Sequence, residues 1–433
     1  MQINQVFSKG LDTVGETTFV RKLRRQFNKL WVRIALIGFM SLLAIIVARL
    51  TEPFIPDGIK DVIGAGSIGS LLQIIANSML AVTTFSLTVM VSVFRSASSQ
   101  WTPRIHRLMM DDQITQTTLS TLVGAYIYAL ASIILLETQL FSDDQVVVLF
   151  CFTIIILILI IIAIVRWIVH LQTLGSLIET TRRIEEKTKA AFSLRMENPC
   201  LGANPLTDMD AVPDDAVAVK ADETGYIQFI YEQQLAELAE KEDIDIYFST
   251  PVGHFVYKGE AIAYITAKTD GIFDKLNESI SIGDLRTFEQ DPRFGLIVLG
   301  EIGSKALSPG INDPGTAIDV VGRMARIFDG YRSEMDRTDV EVAHPRLWLP
   351  PLEAASLVED GFDPIARDGG GIVEVQLALQ KALDHLSRHP DDDLSEAAVE
   401  AAKRAFKRAE KKMDYGQDLE RLRDQTPAEV TNG

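Results

Sequence analysis

Six polar side chains, Gln73, Asn77, Thr84, Thr88, Ser92 and Ser96, recur in and just beyond the apolar run Leu71–Phe94. Several are four residues apart, which places them on roughly one face of a helix. Amides and hydroxyls both donate and accept hydrogen bonds and carry no charge. They can solvate an ion or water along a path, or seam two helices together. Hydrocarbon offers no partners, so such a face wants protein or water beside it. Beyond it the chain reads Arg95-Ser-Ala-Ser-Ser-Gln-Trp-Thr-Pro-Arg104. Pro103 is expected to kink or end the helix. Arg95 and Arg104 are placed to select anions at a cytoplasmic mouth, or to anchor the chain on lipid phosphates.

A second concentration of chemistry lies downstream. The run Arg286-Thr-Phe-Glu-Gln-Asp-Pro-Arg293-Phe-Gly295 leads into a helix expected over Phe294–Leu307. A turn follows, Ser308-Pro-Gly-Ile-Asn312-Asp313-Pro314, and then a second helix to about Phe328. Asp313 with Pro314 is a good helix start, a capping carboxylate before a proline at the first helical position. Glu301/Lys305 and Asp319/Arg323 are spaced to support their helices as ion pairs. A well-capped helical hairpin accounts for the segment. The functional alternative is a small ligand or ion held by Arg286, Arg293, Asn312 and Asp313.

Enzyme signatures are missing: the sequence holds no H-E-x-x-H, C-x-x-C, Walker A or G-x-S-x-G pattern. Gly64-Ala-Gly66-Ser-Ile-Gly69 fits the dinucleotide G-x-G-x-x-G, but it leads into an apolar span instead of following a strand. It serves better as a close-packed entry to that span. His385 and His389 are four apart before Pro390 and read as an ordinary surface helix. No cofactor, metal site or catalytic residue is expected. The span interiors lack acids and lysines, which weakens a proton-coupled transporter.

Mean hydropathy is slightly positive, +0.14, although net charge is -17. The two agree if an apolar half is joined to an acidic one. Residues 1–170 hold 13 Lys/Arg against 10 Asp/Glu, and residues 171–433 hold 29 against 49. The acidic half argues against nucleic-acid binding. Cys151 and Cys200 fall in different halves, so no structural disulfide is expected.

Four stretches are long and apolar enough to cross a bilayer: Trp31–Ala48, Leu71–Phe94, Thr117–Leu136 and Val146–Val165. No signal peptide is read before the first. Basic residues cluster before the first span (Arg21, Lys22, Arg24, Arg25, Lys29, Arg33), after the second (Arg95, Arg104, Arg107) and after the fourth (Arg166, Arg182, Arg183, Lys187, Lys189). The positive-inside rule therefore puts both termini in the cytoplasm, with Trp31, Trp101 and Trp167 as an interfacial belt. The third span repeats small residues at Thr117, Thr121, Ala125 and Ala129, a face for close packing. The aliphatic Ile154–Val165 reads as lipid-facing.

The expected fold is thus a four-helix membrane domain followed by a cytoplasmic α+β domain containing a small β-barrel-like module and helices. Its parts are a basic N-terminal segment (1–30), the membrane domain (31–169), a helical stem continuing the fourth span (170–198) and a β-rich module (199–280). A helical hairpin (281–332), a charged helical region (333–425) and a disordered tail (426–433) complete it. Strands are expected at Ala216–Ala221, Tyr226–Ile230, Asp243–Ser249 and Ala261–Thr266, with a short helix at Glu232–Lys241. Residues 225–265 resemble the barrel-sandwich modules of lipoyl-like and membrane-fusion proteins. They lack the lysine hairpin of true carriers, Lys258 preceding Gly259 in another setting, so no cofactor attachment is carried over.

The pieces FSLTVMVSVFRSASSQWTPR, RTFEQDPRFG and ALSPGINDPGTA, in this order after four spans, resemble a bacterial family of predicted inner-membrane proteins of unknown function. The resemblance spans most of residues 20–330. It implies an inner-membrane protein with a cytoplasmic domain, and no activity. The expected function is a homo-oligomeric ion channel or channel-like protein, its partners the bilayer, further copies of itself and ions. The alternative is a non-conducting scaffold or sensor whose cytoplasmic domain binds a ligand or partner.

Overall fold

The computed structural model describes residues 30–51, 65–98, 102–105, 112–138, 146–266, 271–335 and 340–431. The basic segment before Leu30, Trp101 and the last two residues of the tail lie outside them. The described chain divides into two compact units, a membrane unit ending at Ser176 and a second unit formed by residues 100–105 and 177–433.

Four helices of the membrane unit are long and apolar enough to span a bilayer. They are α1 (Leu30–Thr51), α2 (Ala65–Ser98), α3 (Gln113–Glu137) and α4 (Val146–Leu171). All four expected spans are present, each extended by a few residues. Helix α3 packs against the other three. Its small face does the work: Ala125 and Ala129 are fully buried, and a Cβ on Gly124 would stand 2.7 Å from Ile37 of α1. Helix α4 turns Ile156, Ile160 and Ala163 inward and Ile155, Ile158, Ile162 and Val165 outward. It is lipid-facing on one side only. Trp167 is buried beside His170 instead of lying in an interfacial belt.

The stem does not continue α4. That helix ends at Leu171, and Gly175 (φ 86°) turns the chain before α5 (Leu177–Glu197) begins. The apolar periodicity runs through this break, which hides it. Glycine at a positive φ is the usual helix stop.

Two open sheets replace the expected barrel. The larger has strands β1 (Ala203–Pro205), β2 (Val217–Lys220), β4 (Ile246–Phe248), β6 (Ala261–Ile265) and β8 (His344–Leu349) in the order β1-β8-β4-β6-β2. The smaller is antiparallel, β5 (Phe255–Val256), β3 (Gly225–Ile230) and β7 (Ile280–Gly283) in the order β5-β3-β7. Both contribute to one core: Val219, Phe248 and Ile262 meet Ile227, Ile230 and Val256 in it. Strand β8 comes from the region expected to be wholly helical and pairs in parallel with both β1 and β4.

Helices α6 (Glu232–Glu242) and α7 (Ile272–Glu278) accompany the sheets. A helical layer follows: α8 (Pro292–Ala306), α9 (Pro314–Phe328), α10 (Ala354–Asp368), α11 (Val373–Leu386) and α12 (Asp392–Lys412). Helices α8 and α10 approach so closely that a Cβ on Gly300 would lie 2.7 Å from the Gly361 carbonyl. After α13 (Gly416–Gln425), the tail is ordered as α14 (Ala428–Thr431). There Val430 is buried, so the expected disorder does not begin at Pro427.

Candidate functional site

The outward face of α2 is the most unusual surface of the membrane unit. Every member of the polar stripe, Gln73, Asn77, Thr84, Thr88, Ser92 and Ser96, is exposed. Stepping by three, four and four residues from Ser70 through Gln73, Asn77, Ala81, Thr84, Thr88 and Ser92 to Arg95 meets only small or polar side chains, all exposed. That spacing repeats every 11 residues. It matches the true pitch of an α-helix closely, so the row runs almost straight down one side. Helix α2 seams to its neighbours with a different face, through Leu72, Ile75, Ala76, Met79, Thr83 and Ser86.

Hydrogen bonding divides the row. Thr84 Oγ1 donates to the Leu80 carbonyl and Thr88 Oγ1 to the Thr84 carbonyl, each at 2.9 Å. Those hydroxyls retain acceptor capacity but have discharged their protons within the helix. The amides of Gln73 and Asn77 and the guanidinium of Arg95 have no partner among the described residues. Arg95 is the single ionisable side chain in Ala65–Ser98. Arg104 lies elsewhere: it belongs to the second unit and is ion-paired with Glu301 of α8.

One buried polar cluster of the membrane unit was not foreseen. Asp112 caps α3, accepting from Thr115 N at 2.8 Å and Thr115 Oγ1 at 2.7 Å, and its carboxylate stands 2.7 Å from His170 Nε2 of α4. Both side chains are under 5% exposed. The residues are 58 apart in sequence, so only the fold brings them together.

In the second unit the four candidate ligand residues separate into two places. Arg286 grips Asp291 with two bonds, 2.9 and 3.0 Å, and Asp291 caps α8 through Phe294 N at 3.0 Å. Arg293 pairs with Asp360 of α10. Gln290, 2% exposed, completes the sheet edge by accepting from Ile230 N and donating to Ile230 O. Thr287 donates to the Gln228 carbonyl. Nearly every polar residue of this motif therefore holds strand β3, helix α8 or helix α10 in place. Asn312 (φ 51°) and Asp313 lie at the far end of α8, about 22 Å along a 15-residue helix. Asp313 caps α9 through Thr316 N and Oγ1, and those bonds hold its carboxyl below the usual range. Asp319 pairs with Arg323 as expected, whereas Glu301 is taken by Arg104 and leaves Lys305 free of it.

A buried ion pair ties the end of α5 to the rest of the unit. Arg195 meets Glu334 at 2.8 and 2.6 Å, with side chains 3% and 0% exposed. Glu334 also accepts from Leu352 N at 2.7 Å. Beside it the chain makes a left-handed turn at Cys200, Leu201 and Gly202 (φ 49°, 58° and 80°). Burial, reinforced by the Glu334 charge, pushes the Cys200 thiol up to about 12. The thiolate is the reactive form. Cys200 should therefore resist a maleimide at pH 8 in the folded protein and react only on unfolding; mass spectrometry of the labelled peptide would show fast modification if this is wrong.

Comparison with known sequences decides the family. The model of the family described as Predicted membrane protein (DUF2254) matches residues 27–385. The chain belongs to that family. Among curated proteins, an uncharacterized protein of Mycobacterium bovis and one of Mycobacterium tuberculosis are each 30% identical to this DUF2254 chain over 198 residues. Each match covers 43% of this chain and 38% of the relative, so the chain spans well under half of those proteins. No solved structure matches.

Proposed function

We propose that this DUF2254 protein is a homo-oligomeric ion channel of the bacterial inner membrane, with α2 of each copy facing a shared axis. The observation that carries it is the exposed row from Ser70 to Arg95, in particular the Gln73 and Asn77 amides, which have no partner among the described residues. In hydrocarbon each unsatisfied polar group costs several kcal/mol. Copies ringed about an axis would put those amides against water. The row would then be the wall, and Arg95 its fixed charge. The positive-inside pattern supports cytoplasmic termini.

The competing reading is a non-conducting scaffold or sensor. It draws on the bonds from Thr84 and Thr88 to their own helix, which make part of the row tolerable without water.

The mass of the purified particle tests assembly first. The channel reading expects several copies of the 48.0 kDa chain in a mild detergent. A particle holding one copy would end it.

The fixed charge gives a sharper expectation. A ring of Arg95 with no acid on α2 favours anions. Arg95→Glu should shift the chloride-to-potassium permeability ratio toward potassium by at least tenfold, worth ~1.4 kcal/mol. Reversal potentials in a potassium chloride gradient read this directly, and an unchanged ratio would remove Arg95 from the path.

A further inference from the structure

The motif Ser308–Pro314 is engaged by neither the pore row nor the ion pairs, and it borders a cavity. The cavity, about 210 Å³, is walled by Ile105, Leu177, Ile302, Ala306 and Ile311, with Lys305 and Asp313 as its polar groups. It would hold about seven waters at roughly 30 Å³ each, which is small for a whole organic ligand and ample for the head of one.

Three observations define what fits. The Lys305 ammonium has no ion pair or hydrogen bond among the described residues, because Arg104 has taken the glutamate one turn away. Both Asp313 oxygens are engaged by Thr316, and the positive end of the 15-residue α9 stands at that carboxylate. The uncompensated charge on the wall is therefore positive. Glu301 Oε2 and Thr102 Oγ1, on the two elements that carry Ile302 and Ile105, are buried without a hydrogen-bond partner. Buried polar atoms in a folded protein normally have one; the Thr102 hydroxyl can donate to a ligand oxygen, whereas the Glu301 oxygen can only accept. The remaining walls are aliphatic. An ordinary solvent ion would gain nothing from them.

We infer that the cavity binds a phosphate group carried on an aliphatic body, the phosphate on Lys305 and the first methylenes against Ile105, Ile302 and Ile311. An anionic phospholipid and a soluble alkyl phosphate share that chemistry.

The test uses the full chain in a phosphate-free maltoside micelle, with phosphatidylglycerol or hexyl phosphate added separately. Hydrogen exchange of the amides from Ile302 to Asp313 is the readout. Either probe should slow exchange there. Lys305→Gln, which keeps most of the side-chain stem, should raise the half-saturating concentration at least tenfold. Ile311→Trp, which fills the cavity from its rim, should abolish the response. Protection by phosphatidylglycerol assigns the site to lipid, and protection by hexyl phosphate alone assigns it to a soluble ligand of the same class. The inference falls if neither probe slows exchange, or if Lys305→Gln responds like the native chain.

Discussion

Glu334→Ala is expected to destabilise the second unit by about 3–5 kcal/mol. The substitution leaves Arg195, 3% exposed, charged and without its carboxylate, and leaves Leu352 N without its acceptor. Burial opposes a charge on Arg195, yet Glu334 more than offsets it and the guanidinium stays above its ordinary value. Removing the partner reverses that balance. It also frees the left-handed turn at Cys200–Gly202, where each non-glycine residue carries roughly 1–2 kcal/mol of strain. Cys200 supplies the readout. In a Cys151→Ser background, its labelling rate under native conditions reports opening of this corner. At 1.4 kcal/mol per decade the rate should rise by roughly two to three and a half decades. Replacing both partners with methionine should cost less than the single change, because no unpaired charge remains. A single-mutant rate within tenfold of the parent would mean the pair contributes little.

Thr88→Trp should abolish ion flux while leaving the particle mass unchanged. Thr88 is exposed near the middle of the row, where an indole would project away from α1, α3 and α4. It disturbs no packing within one copy, so assembly provides its own control. In a ring every copy contributes one indole to the same level, and the loss of flux should be near complete. The scaffold reading expects the opposite pair of results, a disrupted particle or no functional effect. A substitution on the buried face of the same helix, such as Ser86→Trp, should instead unfold the membrane unit, since Ser86 is fully buried.

The sequence carried the local features well. The four spans, the strand Tyr226–Ile230, the cap at Asp313 and the helix Val373–Leu386 could all be read from periodicity and turn chemistry. What escaped depends on distant partners. Strand β8, His344-Pro-Arg-Leu-Trp-Leu349, has no clean alternation and carries a proline at its second position; it is a strand because β1 and β4 flank it. The strands expected in a barrel-like module form no closed barrel among the described residues. Strands β1 and β4 of the larger sheet pair with β8, which follows them by about 140 and about 100 residues, and this opens the module into two sheets. Asp112 and His170 were invisible as a pair because each sits alone at the end of its own helix. At the candidate sites, composition and spacing picked out the α2 row. Only the fold shows that it faces outward, and only the fold places Arg286 and Arg293 at one end of α8 and Asn312 and Asp313 at the other.

Ion flux through the purified protein in liposomes tests the central claim most directly, with chloride and potassium gradients applied separately. The account predicts chloride-selective current that Thr88→Trp abolishes in particles of unchanged mass. Intact oligomers that pass neither ion, or a current that Thr88→Trp leaves untouched, would contradict it.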